Sequence, residues 1–152
     1  MTKTEKLQAV FHLYATEHGY EPATVREAVA WGVEQGMLTK PKDVDPLDIL
    51  AAQMASALGQ EYDTYEGRRY RVNHAVRTTK DGEQQTFWAI MGYAPHDHME
   101  RAFGQRREHI VGECVQLNND VTVYNHMNSG ERPEIQMVLN FTNDVAERLA
   151  QR

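Results

Sequence analysis

The dipeptide Asp81-Gly82 sits between two alternating runs, Arg68 to Lys80 and Glu83 to Gly92, and constrains the fold more than any other stretch of the chain. A two-residue turn there puts Lys80 opposite Glu83, and so Val76 opposite Phe87, His74 opposite Ala89 and Val72 opposite Met91. Those residues share one face, which reads as core. The other face carries Arg69, Arg71, Asn73, Ala75 and Arg77 from the first strand, with Thr86, Trp88 and Ile90 from the second. It is basic, with aromatic support.

That surface contrasts with the rest of the molecule. The 152 residues carry a net charge of −6, divided as −6 over residues 1–66, +3 over 67–92 and −3 over 93–152. A net negative charge argues against non-specific nucleic-acid affinity of the whole protein, because phosphate neutralisation dominates such binding. Only the hairpin is basic. With 41% hydrophobic and 25% charged residues the composition is that of an ordinary globular protein. The opening Met1-Thr2-Lys3-Thr4-Glu5-Lys6 leads into no signal-peptide core, and no apolar run approaches the roughly 18 residues of a membrane span, so a cytoplasmic protein with no membrane partner is expected. The one cysteine, Cys114, excludes an intramolecular disulfide and a Cys-rich zinc module.

Ahead of the hairpin the spacing predicts three helices. Thr2 with Glu5 fits a capping box, and Leu7, Val10, Phe11 and Tyr14 recur at helical spacing up to Gly19, giving a helix over about 4–18. Thr24 with Glu27 repeats the box after Pro22, and Val25, Ala28, Val29 and Val33 make a stripe that Gly36 ends, giving a second helix over about 23–35. Asp45 caps a third, which starts at Pro46, buries Leu47, Leu50, Ala51, Met54, Ala57 and Leu58, and closes at Gly59. Gln60 to Gly67, polar and acidic with Tyr62 and Tyr65, reads as a connection.

Three helices followed by a hairpin is the element order of a winged helix-turn-helix domain. At Glu21-Pro22-Ala23-Thr24, Gln35-Gly36-Met37-Leu38 and Asp45-Pro46 the chain resembles winged helices of the HARE type, a group similar to the domain of the RNA polymerase delta subunit. The resemblance covers residues 4–92 and implies a winged-helix domain over 1–92. The expected fold class is therefore α+β and mostly helical, a winged helix of three helices plus a β-hairpin wing, followed by a long C-terminal helical hairpin.

That second part, residues 93–152, begins after Tyr93-Ala94-Pro95. Ile110, Cys114, Leu117, Val121 and Tyr124 are spaced 4, 3, 4, 3, a heptad seam preceded by Met99 and Phe103 and interrupted by Arg106 and Arg107. A helix over 96–127 would run about 48 Å, so part of it projects unless Gly104 or Gly112 breaks it. Pro133 starts a last helix with Val138, Phe141, Val145 and Leu149 as its seam. The β-formers Val121-Thr122-Val123-Tyr124 and the alternation of Ile135, Met137, Leu139 and Phe141 favour strands instead. Because the seams continue across both segments, the helical hairpin is preferred, with Ile110, Cys114, Leu117, Val121 and Tyr124 forming a homodimer interface.

No catalytic motif is present, and no enzyme, cofactor or metal is expected. His96-Asp97-His98 with Glu100 and His109 resembles a ligand set, but side chains two apart on a helix do not share a face, so a polar helix start explains them better. The basic face carries the functional expectation: Arg69, Arg71 and Arg77 reach phosphates or base edges, Trp88 supports them, and Lys80 touches the backbone of duplex DNA. The third helix has no Lys or Arg from Pro46 through Gln60 and carries Asp48, so a DNA-binding wing has to lead. The alternative is a non-enzymatic interaction module whose acidic helices bind a protein partner.

Overall fold

The computed structural model describes residues 1–21 and 23–151; Pro22, part of the expected entry to the second helix, lies outside the described residues. The chain is α+β and divides into two units, Met1–Gln53 and Met54–Arg152.

In the first unit α1 (Lys3–Glu17) and α2 (Val25–Glu34) pack together, each opened by the expected reciprocal capping box, Thr2 with Glu5 and Thr24 with Glu27. Val10, Ala28 and Gly32 are buried where they meet. Tyr14 stacks on His18 at 4.0 Å between ring centroids and meets Trp31 edge-on at 5.7 Å. Gly36, at φ 74°, supplies the left-handed residue that ends α2, and the amides of Met37 and Leu38 both return to the Gly32 carbonyl.

The third helix, α3 (Pro46–Gly59), starts at Pro46 as expected, with Asp45 Oδ1 accepting from the Leu47 amide at 3.0 Å. It buries no residue. Leu47, Leu50 and Met54 are all exposed, against the expectation that they form its covered side.

The strand region is richer than a single hairpin. β1 (Tyr62–Tyr65) pairs antiparallel with β2 (Arg68–Arg71) across Glu66-Gly67, so the segment read as a connection is itself a hairpin. β3 (Asn73–Lys80) pairs with β4 (Glu83–Ile90) in the expected register, Lys80 to Glu83, Val76 to Phe87 and His74 to Ala89. Asp81 and Gly82 have φ of 52° and 79°, the left-handed pair that a primed two-residue turn requires. Val72 joins the two ladders, its amide donating to Glu61 O at 3.1 Å while its carbonyl accepts from the Met91 amide at 2.9 Å.

The core of this unit lies between β3 and α4 (His96–Met127), a single helix of 32 residues that neither Gly104 nor Gly112 interrupts. Val76, Met99 and Ala102 are buried there. Phe87, expected on the covered face, is 54% exposed, because α4 packs on β3 and leaves β4 open. Asn73, expected on the solvent face, is buried instead and donates to Leu58 O at 3.1 Å and Glu61 Oε1 at 2.7 Å.

The C-terminus departs from the expected helical hairpin. Residues 133–141 run without helix, and α5 (Thr142–Ala150) begins nine residues after Pro133. The Asn125 side chain pairs with the backbone of Ile135 in both directions, donating to its carbonyl at 2.8 Å and accepting from its amide at 2.9 Å. The non-helical segment is thereby tied to α4. Asn140 Oδ1 then accepts from the Thr142 amide at 3.2 Å, an Asx-type start for α5. No described helix is long and apolar enough to cross a membrane.

Candidate nucleic-acid interface

The two-residue turn fixes more than register. With Lys80 and Glu83 flanking it, the backbone groups of alternate β3 residues point to β4, and those of Ala75 and Arg77 point to the opposite, unpaired edge. An open edge of this kind invites pairing with another strand. Here α4 runs along it. Gln105 Oε1 accepts from the Arg77 amide at 2.8 Å and Gln105 Nε2 donates to the Arg77 carbonyl at 2.8 Å, so one carboxamide imitates a neighbouring strand. The start of α4 is tied to β3 as well, His98 Nε2 donating to the His74 carbonyl at 3.0 Å.

Between that edge and α4 lies a hollow of about 250 Å³, lined by Arg71, Arg77, Arg106, His74, His109 and Trp88 among others. Its shape follows from small residues. Ala75 stands opposite Trp88 in the register, and Ala102, 1% exposed, faces it from α4, so two methyl groups leave room between longer neighbours. No carboxylate lines it, and among the described residues none of the three guanidiniums is in an ion pair. Like charges brought together with no counter-charge repel, and an anion entering the hollow relieves that repulsion.

His74 is 5% exposed, donates from Nε2 to the Arg71 carbonyl at 2.8 Å, and meets Phe103 edge-on at 5.2 Å. Burial pushes its pKa below the ordinary value of 6.5; the bond to Arg71 opposes this, and the charges of Arg106, Arg71 and His98 add to the lowering. His74 is thereby disfavoured as a carrier of the hollow's positive charge.

Of the expected contact residues, Arg71, Arg77 and Trp88 converge on this hollow. Arg69 does not line it: its guanidinium carbon lies 3.9 Å from the ring centroid of Tyr62 on the neighbouring strand, in a cation–π contact, with that of Arg71 5.9 Å from the same ring. Lys80 flanks the turn and does not line the hollow. Arg106 and His109 were not among the expected residues. The signal for Arg106 was the break that it and Arg107 make in an otherwise apolar seam, since a charged pair interrupting a heptad marks a place where the helix faces something polar.

The seam residues themselves are split. Ile110 and Cys114 line a depression of about 580 Å³ together with Phe103, Leu139, Phe141 and the arginines Arg106 and Arg107, so the returning 133–141 segment lies beside part of the seam. Tyr124 Oη accepts from Arg132 Nη1 at 3.2 Å. Leu117 is exposed, and Val121 is half-buried. At the start of α4, His96 pairs with Glu100 at 2.7 Å while His98 turns to β3, so the two histidines diverge. Among the described residues no group of three or more His, Cys, Asp or Glu side chains could hold a metal.

No protein-family model matches the chain, and no curated protein and no solved structure matches it.

Proposed function

We propose that this chain is a nucleic-acid-binding protein of regulatory role, with β2 to β4 acting as the wing of a winged helix that contacts duplex DNA. The observation that carries the reading is the convergence of Arg71, Arg77 and Arg106 beside Trp88 with no carboxylate among them, in a chain that is otherwise acidic. Guanidiniums form bidentate bonds to phosphate oxygens and to guanine edges, and an indole beside them offers a flat support. Lys80, at the tip, reaches the backbone. Since α3 has no Lys or Arg and carries Asp48 in its first turn, it is chemically unsuited to a phosphate-lined groove, and the hairpin leads. The work is binding, not catalysis.

A mobility shift with duplex DNA at about 50 mM salt tests this, because electrostatic contacts are strongest at low salt. The native chain shifts the duplex, and changing Arg69, Arg71 and Arg77 to alanine abolishes the shift. No shift, or one indifferent to these changes, overturns the reading. The exposed apolar side chains of α4, including Ile110, Val111, Val115 and Leu117, favour a second reading in which this helix meets a protein, a second copy of the chain first of all.

A further inference from the structure

The hollow along the open edge of β3 is concave and small, and its chemistry narrows what part of a nucleic acid it can hold. Ligand sites commonly run from about 300 Å³ upward, so 250 Å³ suits one nucleotide unit or less. Three arginines line it, each with a guanidinium able to donate two parallel hydrogen bonds. An internal phosphodiester offers two free oxygens and a single charge. A phosphate monoester offers three free oxygens and about −1.5 to −2 charge at pH 7, a better match in both number and charge to three arginines in a hollow that no carboxylate itself lines.

The backbone that carries two of these arginines is fixed before any ligand arrives. Gln105 pins the backbone of Arg77 to α4, one residue from Arg106, and His74 pins the carbonyl of Arg71. The same register turns the amide of Ala75, a lining residue, to the open edge, a further donor for an oxyanion. Trp88 forms the apolar wall on which a base or sugar can rest.

We infer that this hollow is a subsite for a nucleotide phosphate monoester, its phosphate held by Arg71, Arg77 and Arg106 and its nucleoside set against Trp88. The inference rests on the nucleic-acid reading for its preferred source, the 5′-phosphorylated end of a strand; a free mononucleotide has the same chemistry.

The test uses the full chain with Trp31→Phe, which leaves Trp88 as its sole indole. Adenosine 5′-monophosphate is expected to change Trp88 fluorescence saturably where adenosine does not, and Arg106→Gln to weaken it at least about tenfold, the scale of one lost charged hydrogen bond. In parallel, one duplex is titrated with 5′-phosphate ends and with 5′-hydroxyl ends. Tighter binding of the phosphorylated form by about tenfold, lost in Arg106→Gln, supports the subsite and assigns it to strand ends. A nucleotide response with no difference between duplexes supports the subsite with free nucleotide as the source. If neither the nucleotide nor the 5′-phosphate is preferred, the subsite is overturned, while salt-dependent binding of both duplexes still upholds the broader reading. A nucleotide response with neither duplex bound keeps the subsite and overturns the broader reading. The far-ultraviolet spectrum and melting temperature of Arg106→Gln establish that it folds.

Discussion

Replacing Gln105 by alanine removes both bonds between its carboxamide and the Arg77 backbone, each 2.8 Å long and linking residues 28 apart in sequence. A net contribution of about 0.5–1.5 kcal/mol per bond would give up to about 3 kcal/mol, but the site is exposed and water replaces part of the loss, so about 1–2 kcal/mol is expected. That corresponds to a 5–30-fold rise in local opening, by the order-of-magnitude conversion of about 1–2 kcal/mol. Amide hydrogen exchange reads it residue by residue. The Arg77 amide points away from β4 and relies on Gln105, whereas Val76 and Thr78 belong to the bonded pairs with Phe87 and Gln85. Arg77 should therefore lose protection by that factor while Val76 and Thr78 change little. Unchanged exchange at Arg77, or an equal loss at all three, would refute the view that a single carboxamide closes this edge and holds the arginine cluster in shape.

Two alanine substitutions for glycine should act with opposite sign. At Gly112 nothing lies within 4 Å of the added carbon, so Gly112→Ala should raise stability by about 0.5–1 kcal/mol in thermal melts. At Gly32 the same carbon would sit 2.7 Å from Val10 Cγ1 and 2.9 Å from Leu38 Cδ1, and overpacking of about 1–3 kcal/mol against a stiff β-branched neighbour outweighs the propensity gain. For His74, the folded pKa lies below 6.5, so its contribution is complete above that value and is lost as pH falls from 6.5 through the folded pKa; His74→Gln should remove that part of the decline in melting temperature. The exposed seam predicts a dimer in light scattering at micromolar concentration, and Leu117→Lys should return it to monomer; a monomeric native chain would contradict the seam reading.

The β3–β4 register was legible because Asp81-Gly82 admits one turn geometry, and a turn geometry admits one pairing. Its neighbour was harder to see. Glu66-Gly67 adopts the same left-handed pair, with φ of 50° and 77°, but glutamate has no intrinsic taste for that conformation and so gave no turn signal. Near the C-terminus two periodicities overlapped, since Val138, Phe141 and Val145 fit a helix while Ile135, Met137, Leu139 and Phe141 fit a strand. Residues 133–141 form neither, and Asn125, ten residues before Ile135, ties the segment to α4 through a tertiary bond that no local pattern contains. Arg71, Arg77 and Trp88 could be placed on one surface from alternation alone. Arg106 joins them only because α4 stays unbroken through Gly104 and lies along β3, a long-range fact that local spacing does not carry.

The most direct test of the arginine cluster as a nucleic-acid site is the dependence of duplex affinity on salt. Each neutralised phosphate contributes about 0.9 to the slope of log K against log salt, and the three arginines share one phosphate-sized hollow, so changing Arg71, Arg77 and Arg106 together to glutamine should make the slope shallower by about one. A slope that the triple variant leaves unchanged would contradict the account.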